Sequence, residues 1–271
     1  MSNIEHLKTR RVIRLEGDDR RSFLQGLITQ DIDQLTRENA IASALLTPQG
    51  KILADFFVAE IDDAFLIDCH HEISEALMKR LSMYKLRAKV TLSLDDTLCV
   101  FASAGPIESA ASTFKDPREE SLGWRAIAEP DLGSVSEAEY HARRITLGVP
   151  EFGYDYDADD KFLTDVNADH LNIVHYKKGC FIGQEVTSRM KRKGEVRKRT
   201  LMAQFDQAAP AKGTPVTAGT STLGDVLSSS NGRALAFIRV ERWEKAMAEN
   251  TTIEAEGTPL QLRFPDYLKQ D

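Results

Sequence analysis

Residues 40–69 limit the possible folds more than any other part of the chain. "AIASALL" and "KILADFFVAEI" are apolar runs separated only by "TPQG", and "AFLIDC" follows after Asp62-Asp63. Pro48 pre-sets the φ of a tight turn and Gly50 stands at its last position. Connections this short join antiparallel neighbours, since a parallel crossover needs a dozen residues or more. The stretch therefore predicts a three-stranded antiparallel meander.

The flanking segments agree with that start. "RVIRLEG" reads as a strand through Val12, Ile13 and Leu15, after which Asp18 or Asp19 can cap a helix carrying Phe23, Leu24, Leu27 and Ile28. Ile73, Ala76, Leu77, Leu81 and Tyr84 recur at helical spacing. "AKVTLSL", "TLCVFAS" and "WRAIA" read as strands, and 136–147 as a helix ended by Gly148 with Pro150 just beyond. Strands interleaved with short helices give an α+β class, not a doubly wound sheet. From about residue 196 the texture changes to short strands between Gly, Ser, Asn and Pro turns ("KRTLMAQF", "TPVTAG", "DVLSSS", "ALAFIRV", "TPLQLRF"). That pattern predicts a small all-β barrel or sandwich. The expected division is a composite α+β region over 1–195 and a β unit over 196–271.

Composition narrows the setting. With 271 residues the chain can form two or three compact units. Its three cysteines, Cys69, Cys99 and Cys180, are too few and scattered for a disulfide framework, which points to a reducing compartment. No apolar run approaches the roughly 18 residues of a membrane span, and the first residues lack the apolar core of a secretion signal. Bacterial cytoplasm is the simplest expectation, or the mitochondrial matrix if the source is eukaryotic, with no membrane contact. A net charge of −7 excludes a surface that is a nucleic-acid footprint throughout. Positive charge is concentrated in 189–199, "RMKRKGEVRKR", whose seven basic residues and one acid give +6 and leave −13 for the remainder. Just upstream, 151–170 carries seven acids and one lysine.

Between these charged stretches lies "KKGCFIGQEVTSR" (177–189). If a helix starts at about Ile182, then Ile182, Val186 and Met190 form a buried stripe. Glu185 and Arg189 are spaced for a helical ion pair with the acid in the better, N-terminal position. Cys180 would precede the first turn, where free backbone N–H groups and the helix dipole favour an anion. With Lys177 and Lys178 beside it, the thiolate is expected to be favoured. Gly179 and Gly183 permit close approach or positive φ around an accessible sulfur. Cys99 fits a small buried hydrophobe. Cys69, His70 and His71 alternate across a strand and do not converge, so no metal site is expected. "DYDADD" lacks the glycine and distal acid of a calcium loop, no Gly-Lys-Ser/Thr makes a phosphate loop, and a single cysteine cannot hold an iron–sulfur cluster alone.

"KGCFIGQE" resembles the K-G-C-[FY]-x-G-Q-E signature of YgfZ-type folate-binding proteins and their mitochondrial iron–sulfur assembly relatives, both related to the glycine-cleavage T-protein. Arg189, Lys193-Gly194 and "RKRTL" continue the resemblance. Asn167 fits a Glu-x-Asn position in which Asp165 replaces the acid, and "FLQGLITQDI", "LLTPQGKILADFFV" and "YKLRAKV" resemble the N-terminal segments. The resemblance implies a cloverleaf of two ferredoxin-like α+β lobes and a C-terminal antiparallel β-barrel around a central channel. It implies a tetrahydrofolate site drawn from Asp165, Asn167, Lys178, Gly179, Gln184, Glu185, Arg189, Lys191, Arg192 and Lys193. Cys180 would be the functional residue, as nucleophile, redox thiol or transient contact to an iron–sulfur cluster.

Three readings follow. The first is a folate-binding accessory factor that serves iron–sulfur enzymes or cluster assembly proteins, tRNA-modifying radical enzymes among them. In it the ring of folate would lie near Asp165 and Asn167 and its anionic tail near Lys191, Arg192 and Lys193. The second is a folate-dependent aminomethyltransferase like the T-protein, which requires a catalytic carboxylate; Glu72 and Glu75 are nearby candidates without a secure alignment. The third is direct tRNA binding through 189–199, which is not expected because the run lacks interleaved aromatics for base stacking.

Overall fold

The computed structural model describes residues 4–130, 132, 135–194 and 196–268, with the Lys193 side chain outside the described residues. The chain opens with β1 (Ile4–His6), β2 (Arg10–Glu16) and a short helix α1 (Arg20–Gln25). The meander follows as β3 (Ile41–Leu46), β4 (Ile52–Ile61) and β5 (Ala64–His70), and then helix α2 (His71–Tyr84). Next come β6 (Thr91–Asp95), β7 (Cys99–Ser103), β8 (Ser112–Lys115), β9 (Trp124–Ala128) and helix α3 (Ala138–Leu147). A long segment without regular structure leads to α4 (Gln184–Lys193). The remainder is β10 (Lys198–Phe205), β11 (Pro215–Ala218), β12 (Ser221–Ser230), β13 (Arg233–Arg239), helix α5 (Val240–Ala248), β14 (Ile253–Ala255) and β15 (Thr258–Arg263).

Two antiparallel sheets build the first part. One runs β3-β4-β5-β2-β6 and the other β1-β7-β9-β8. Alternation sorts the five-stranded sheet into two faces. Ile13, Leu15, Phe56, Val58, Phe65 and Ile67 pack with Phe23 and Leu24 of α1 and Leu77 and Leu81 of α2. Val12, Ala42, Phe57 and Leu66 turn the other way and share a core with Val100, Phe114 and Ile127 of the second sheet. The six strands of the last part close into a barrel in the order β10-β13-β12-β11-β14-β15. The fold is therefore α+β, ending in a closed antiparallel barrel.

The core between the sheets contains charge. Asp68 on β5 accepts from Arg10 Nε at 2.6 Å and from Arg125 Nη2 at 2.7 Å. Arg118 grips Asp116 at 2.9 Å, and Tyr140 donates to Glu151 at 2.5 Å. The guanidinium carbons of Arg10, Arg118 and Arg125 lie 5.6, 4.8 and 4.0 Å from the Phe57 ring centre. Burial alone would protonate Glu151, but the arginines around it hold its carboxylate far below its ordinary range. A buried pair leaves an uncompensated charge if one member is lost or shifted, so the network fixes how the sheets meet.

Several local readings need correction. Asp19 makes no side-chain cap for α1; its carboxylate accepts the Lys89 N–H at 2.7 Å instead. Helix α5 and strands β8 and β14 were not read from the sequence. Cys99 is partly exposed, not buried, because β7 begins with it.

Candidate functional site

The segment from Val149 to Gly183 has few backbone ladders of its own, so its shape depends on side chains reaching in from elsewhere. Asn167 takes the left-handed conformation (φ 58°) and is fully buried. Its Nδ2 donates to Thr200 O at 2.8 Å and to the Tyr267 hydroxyl at 3.0 Å. Arg199 grips Asp169 with two bonds of 2.6 and 2.8 Å and also reaches Thr164 O at 3.2 Å. Thr200 Oγ1 donates to Asp165 O at 2.9 Å. The loop is thus anchored on the first barrel strand.

Its other end is anchored on the N-terminal region. Thr29 Oγ1 donates to Ile173 O at 2.6 Å, and Gln30 Nε2 to Asn172 O at 2.7 Å. Lys178 turns inward and its ammonium donates to Gln25 O, Ile28 O and Gln30 O at 2.8, 2.7 and 2.8 Å. Burial lowers its pKa to about 8, against the pull of Asp31 and Asp33. Lys178 therefore does not flank the thiol as expected, nor does it have a free donor for folate.

Cys180 itself is exposed. Phe181 is buried in the core between the sheets and Ile182 packs on the helix side of the five-stranded sheet. Clamped before by Lys178 and after by these two apolar residues, the sulfur projects from a fixed loop. Helix α4 starts at Gln184, two residues later than expected, so Cys180 stands outside its first turn. Gly183 has φ +80° and a Cβ there would lie 2.7 Å from Thr47 O, so its lack of a side chain is required twice over. Gly179 meets neither condition; its carbonyl accepts from Gln184 Nε2 at 3.4 Å.

The expected buried stripe is met only in part: Ile182 precedes α4, Val186 packs against Gly50, where an added Cβ would approach to 3.0 Å, and Met190 lines a cavity, all three being half-buried. No ion pair joins Glu185 to Arg189 among the described residues, and both are exposed.

A cavity of about 400 Å3 opens beyond α4, lined by Phe162, Thr164, Asp165, Met190, Val196, Arg197 and Lys198. That volume lies in the range of roughly 300–1,000 Å3 typical of small-molecule sites. Burial raises the pKa of Asp165, while the Phe162 N–H, 3.0 Å from Oδ2, opposes the rise. Thr164 Oγ1 is buried without a hydrogen-bond partner among the described residues, a group that a ligand or water would satisfy. The cavity thus joins an acceptor, an unsatisfied hydroxyl and two cations.

The expected residues divide around this cavity. Asp165 lines it, whereas Asn167 uses its amide nitrogen on the barrel and keeps only a buried, unpartnered Oδ1. Lys191 sits over the Tyr176 ring at 3.8 Å, Arg192 is exposed, and the Lys193 side chain lies outside the described residues. Arg197 and Lys198 face the cavity in their place. Gly194 caps α4 in the left-handed conformation, at φ 69°. The basic run signalled this cation supply, but no local pattern in it says which members line the cavity. Glu72 and Glu75 are exposed on α2 and are not among the lining residues. Cys180 is not among them either.

Comparison with known proteins agrees with this architecture. Residues 197–270 match the family model "CAF17, C-terminal beta-barrel domain". The glycine cleavage system aminomethyltransferase T from Bartonella henselae superposes with a TM-score of 0.79 at 15% identity, covering 99% of this chain and 87% of that one. The iron-sulfur cluster assembly factor IBA57 homolog of Neurospora crassa, a mitochondrial protein, is 31% identical over 77% of this chain and 55% of its own length. The Pyricularia oryzae homolog is likewise 31% identical, over 72% of this chain and 55% of its own. Human mitochondrial IBA57 is 28% identical over 87% of this chain and 77% of its own. The chain spans about half the length of the two fungal relatives. It has the T-protein fold, ends in a barrel of the CAF17 C-terminal type, and is similar along most of its length to IBA57-type iron–sulfur cluster assembly factors.

Proposed function

We propose that this chain is a folate-binding accessory factor in iron–sulfur cluster assembly, with Cys180 as the one accessible sulfur it offers to a cluster in transit. The observation that carries the reading is the exposed sulfur on a loop clamped from both sides. The similarity to named cluster assembly factors gives that sulfur its cargo.

Clusters of this kind take four protein ligands, and this chain supplies one. Cys69 is fully buried and its thiol is pushed up to about 12, while burial also raises the Cys99 thiol. The remaining ligands must come from a cluster assembly protein or an iron–sulfur enzyme, with tRNA-modifying radical enzymes among the clients that the signature suggests. On coordination the Cys180 sulfur donates a lone pair to iron and its proton leaves to solvent.

The cavity fits tetrahydrofolate by the chemistry of its lining. Asp165 and Thr164 would hold the ring's donor edge, and Arg197 and Lys198 the carboxylates of its tail. Bound there, the reduced pterin would supply a carrier of one-carbon units. Aminomethyl transfer is the weaker reading, because Asp165 is the only carboxylate lining the cavity among the described residues and its Oδ2 already accepts the Phe162 N–H. The mitochondrial location of the relatives favours an organelle setting over a bacterial cytoplasm.

Cys180→Ser is expected to fold normally and to bind tetrahydrofolate within about twofold of the parent by calorimetry. In cells lacking the endogenous protein it should fail to restore iron–sulfur enzyme activity. Full restoration would remove the thiol from the mechanism, and absence of binding to the parent protein at millimolar tetrahydrofolate would remove the folate.

A further inference from the structure

A second basic region lies away from the cavity, at the C-terminal end of α2 and the turn that follows. From Ala76 to Leu94 there is no acidic residue, and Lys79, Arg80, Lys85, Arg87 and Lys89 fall within eleven positions. None of the five takes part in an ion pair among the described residues. Large apolar side chains stand among them: Leu86 is 90% exposed, Met83 65% and Tyr84 36%. Those three are the majority of the five large exposed hydrophobics among the described residues.

The turn presents its tip in a costly way. Leu86 has φ +44°, and it is the one apolar side chain among the seven described non-glycine residues with positive φ. An L-residue is strained there, and nothing packs on Leu86 to repay the strain. The base of the turn is fixed. Asp19 takes the Lys89 N–H, Ala88 N–H donates to Lys85 O at 2.7 Å, and Gly17 lies so close that a Cβ would fall 2.0 Å from Lys89 O. A fixed stem holds an apolar point, with Lys85 and Arg87 on either side of it in the chain.

We infer that this turn docks the protein on an anionic lipid surface, with Leu86 and Met83 entering the headgroup boundary and the five cations meeting lipid phosphates and carboxylates. A solvated apolar point is unfavourable in water and favourable at that boundary. Each lysine or arginine near such a surface adds attraction that salt screens. A partner protein would need a matching pocket, and RNA would find one aromatic ring to stack on; a fluid charged surface needs no complementary shape. No helix among the described residues is long and apolar enough to cross a membrane, and peripheral docking requires none. The expectation of no membrane contact rested on spans alone. This inference stands apart from the role of Cys180.

The full chain should pellet with large unilamellar vesicles of phosphatidylcholine containing 30 mol% phosphatidylserine, and not with vesicles of phosphatidylcholine alone. Lys85→Glu/Arg87→Glu should weaken that binding about tenfold or more. Leu86→Gly should weaken it while leaving the thermal midpoint unchanged or raised, because glycine relieves the positive φ. No pelleting with anionic vesicles overturns the inference. Equal pelleting with both vesicle types, or binding that survives both variants, overturns it as well.

Discussion

Replacing Lys178 by methionine tests how the cysteine loop is held. The substitution keeps an unbranched side chain, one atom shorter, and removes its three donors, leaving the carbonyls of Gln25, Ile28 and Gln30 without them. A hydrogen bond to a charged group is worth about 1.5–3 kcal/mol net, and an orphaned buried carbonyl costs about 1–3 kcal/mol. Against this, the variant no longer buries an ammonium whose desolvation already lowers its pKa to about 8. The balance comes to a loss of roughly 2–4 kcal/mol, a large part of a typical domain's stability. Urea denaturation should show a lower midpoint with an unchanged slope. Amide exchange over 175–183 should quicken, and iodoacetamide should modify Cys180 at an altered rate as the loop loses its fixed pose. Lys178→Arg should not rescue, because a planar fork cannot reproduce three converging bonds from one nitrogen. If the methionine variant stays within about 0.5 kcal/mol of the parent with parental exchange, the clamp is not what positions the cysteine.

Gly183→Ala combines a left-handed backbone with a 2.7 Å approach to Thr47 O. It should cost about 2 kcal/mol or more by denaturant titration, and an unchanged midpoint would show that the helix entry is free to shift. His141 has its pKa lowered from 6.5 to about 4 by burial and by Arg144, whose Nε donates to its Nδ1 at 2.9 Å. Its folded pKa lies below the unfolded one, so the unfolded chain binds the extra proton and stability falls as pH drops from about 6.5 to 4. The loss amounts to about 3 kcal/mol. His141→Gln, which still offers an acceptor, should flatten that slope in pH-dependent melts; a slope equal to the parent's would assign the acid sensitivity elsewhere.

Where burial follows a local period, the sequence was readable. The meander over 41–70 and helix α3 with its left-handed Gly148 follow from alternation and capping within a few residues. Helix α5 escaped because only Trp243 and Ala246 are buried on it, too narrow a stripe to separate from turn residues. The flanking glycines implied an accessible Cys180, and it is exposed. The inward turns of Lys178 and Asn167 were not legible. Their partners lie 148–153 residues away for the lysine and 33 and 100 for the asparagine, and no local pattern records such meetings. The same holds for Arg125, among the largest fully buried side chains, whose partner Asp68 lies 57 residues away.

The crowding of guanidiniums around Phe57 has a bearing on motion. Sliding one sheet over the other would part Asp68 on β5 from Arg125 on β9 and separate two buried charges. That seam is consequently welded shut against sliding, and the two sheets must travel as one body. Any breathing that admits a ligand to the cavity is left to the other wall, which Met190 of α4 helps to form.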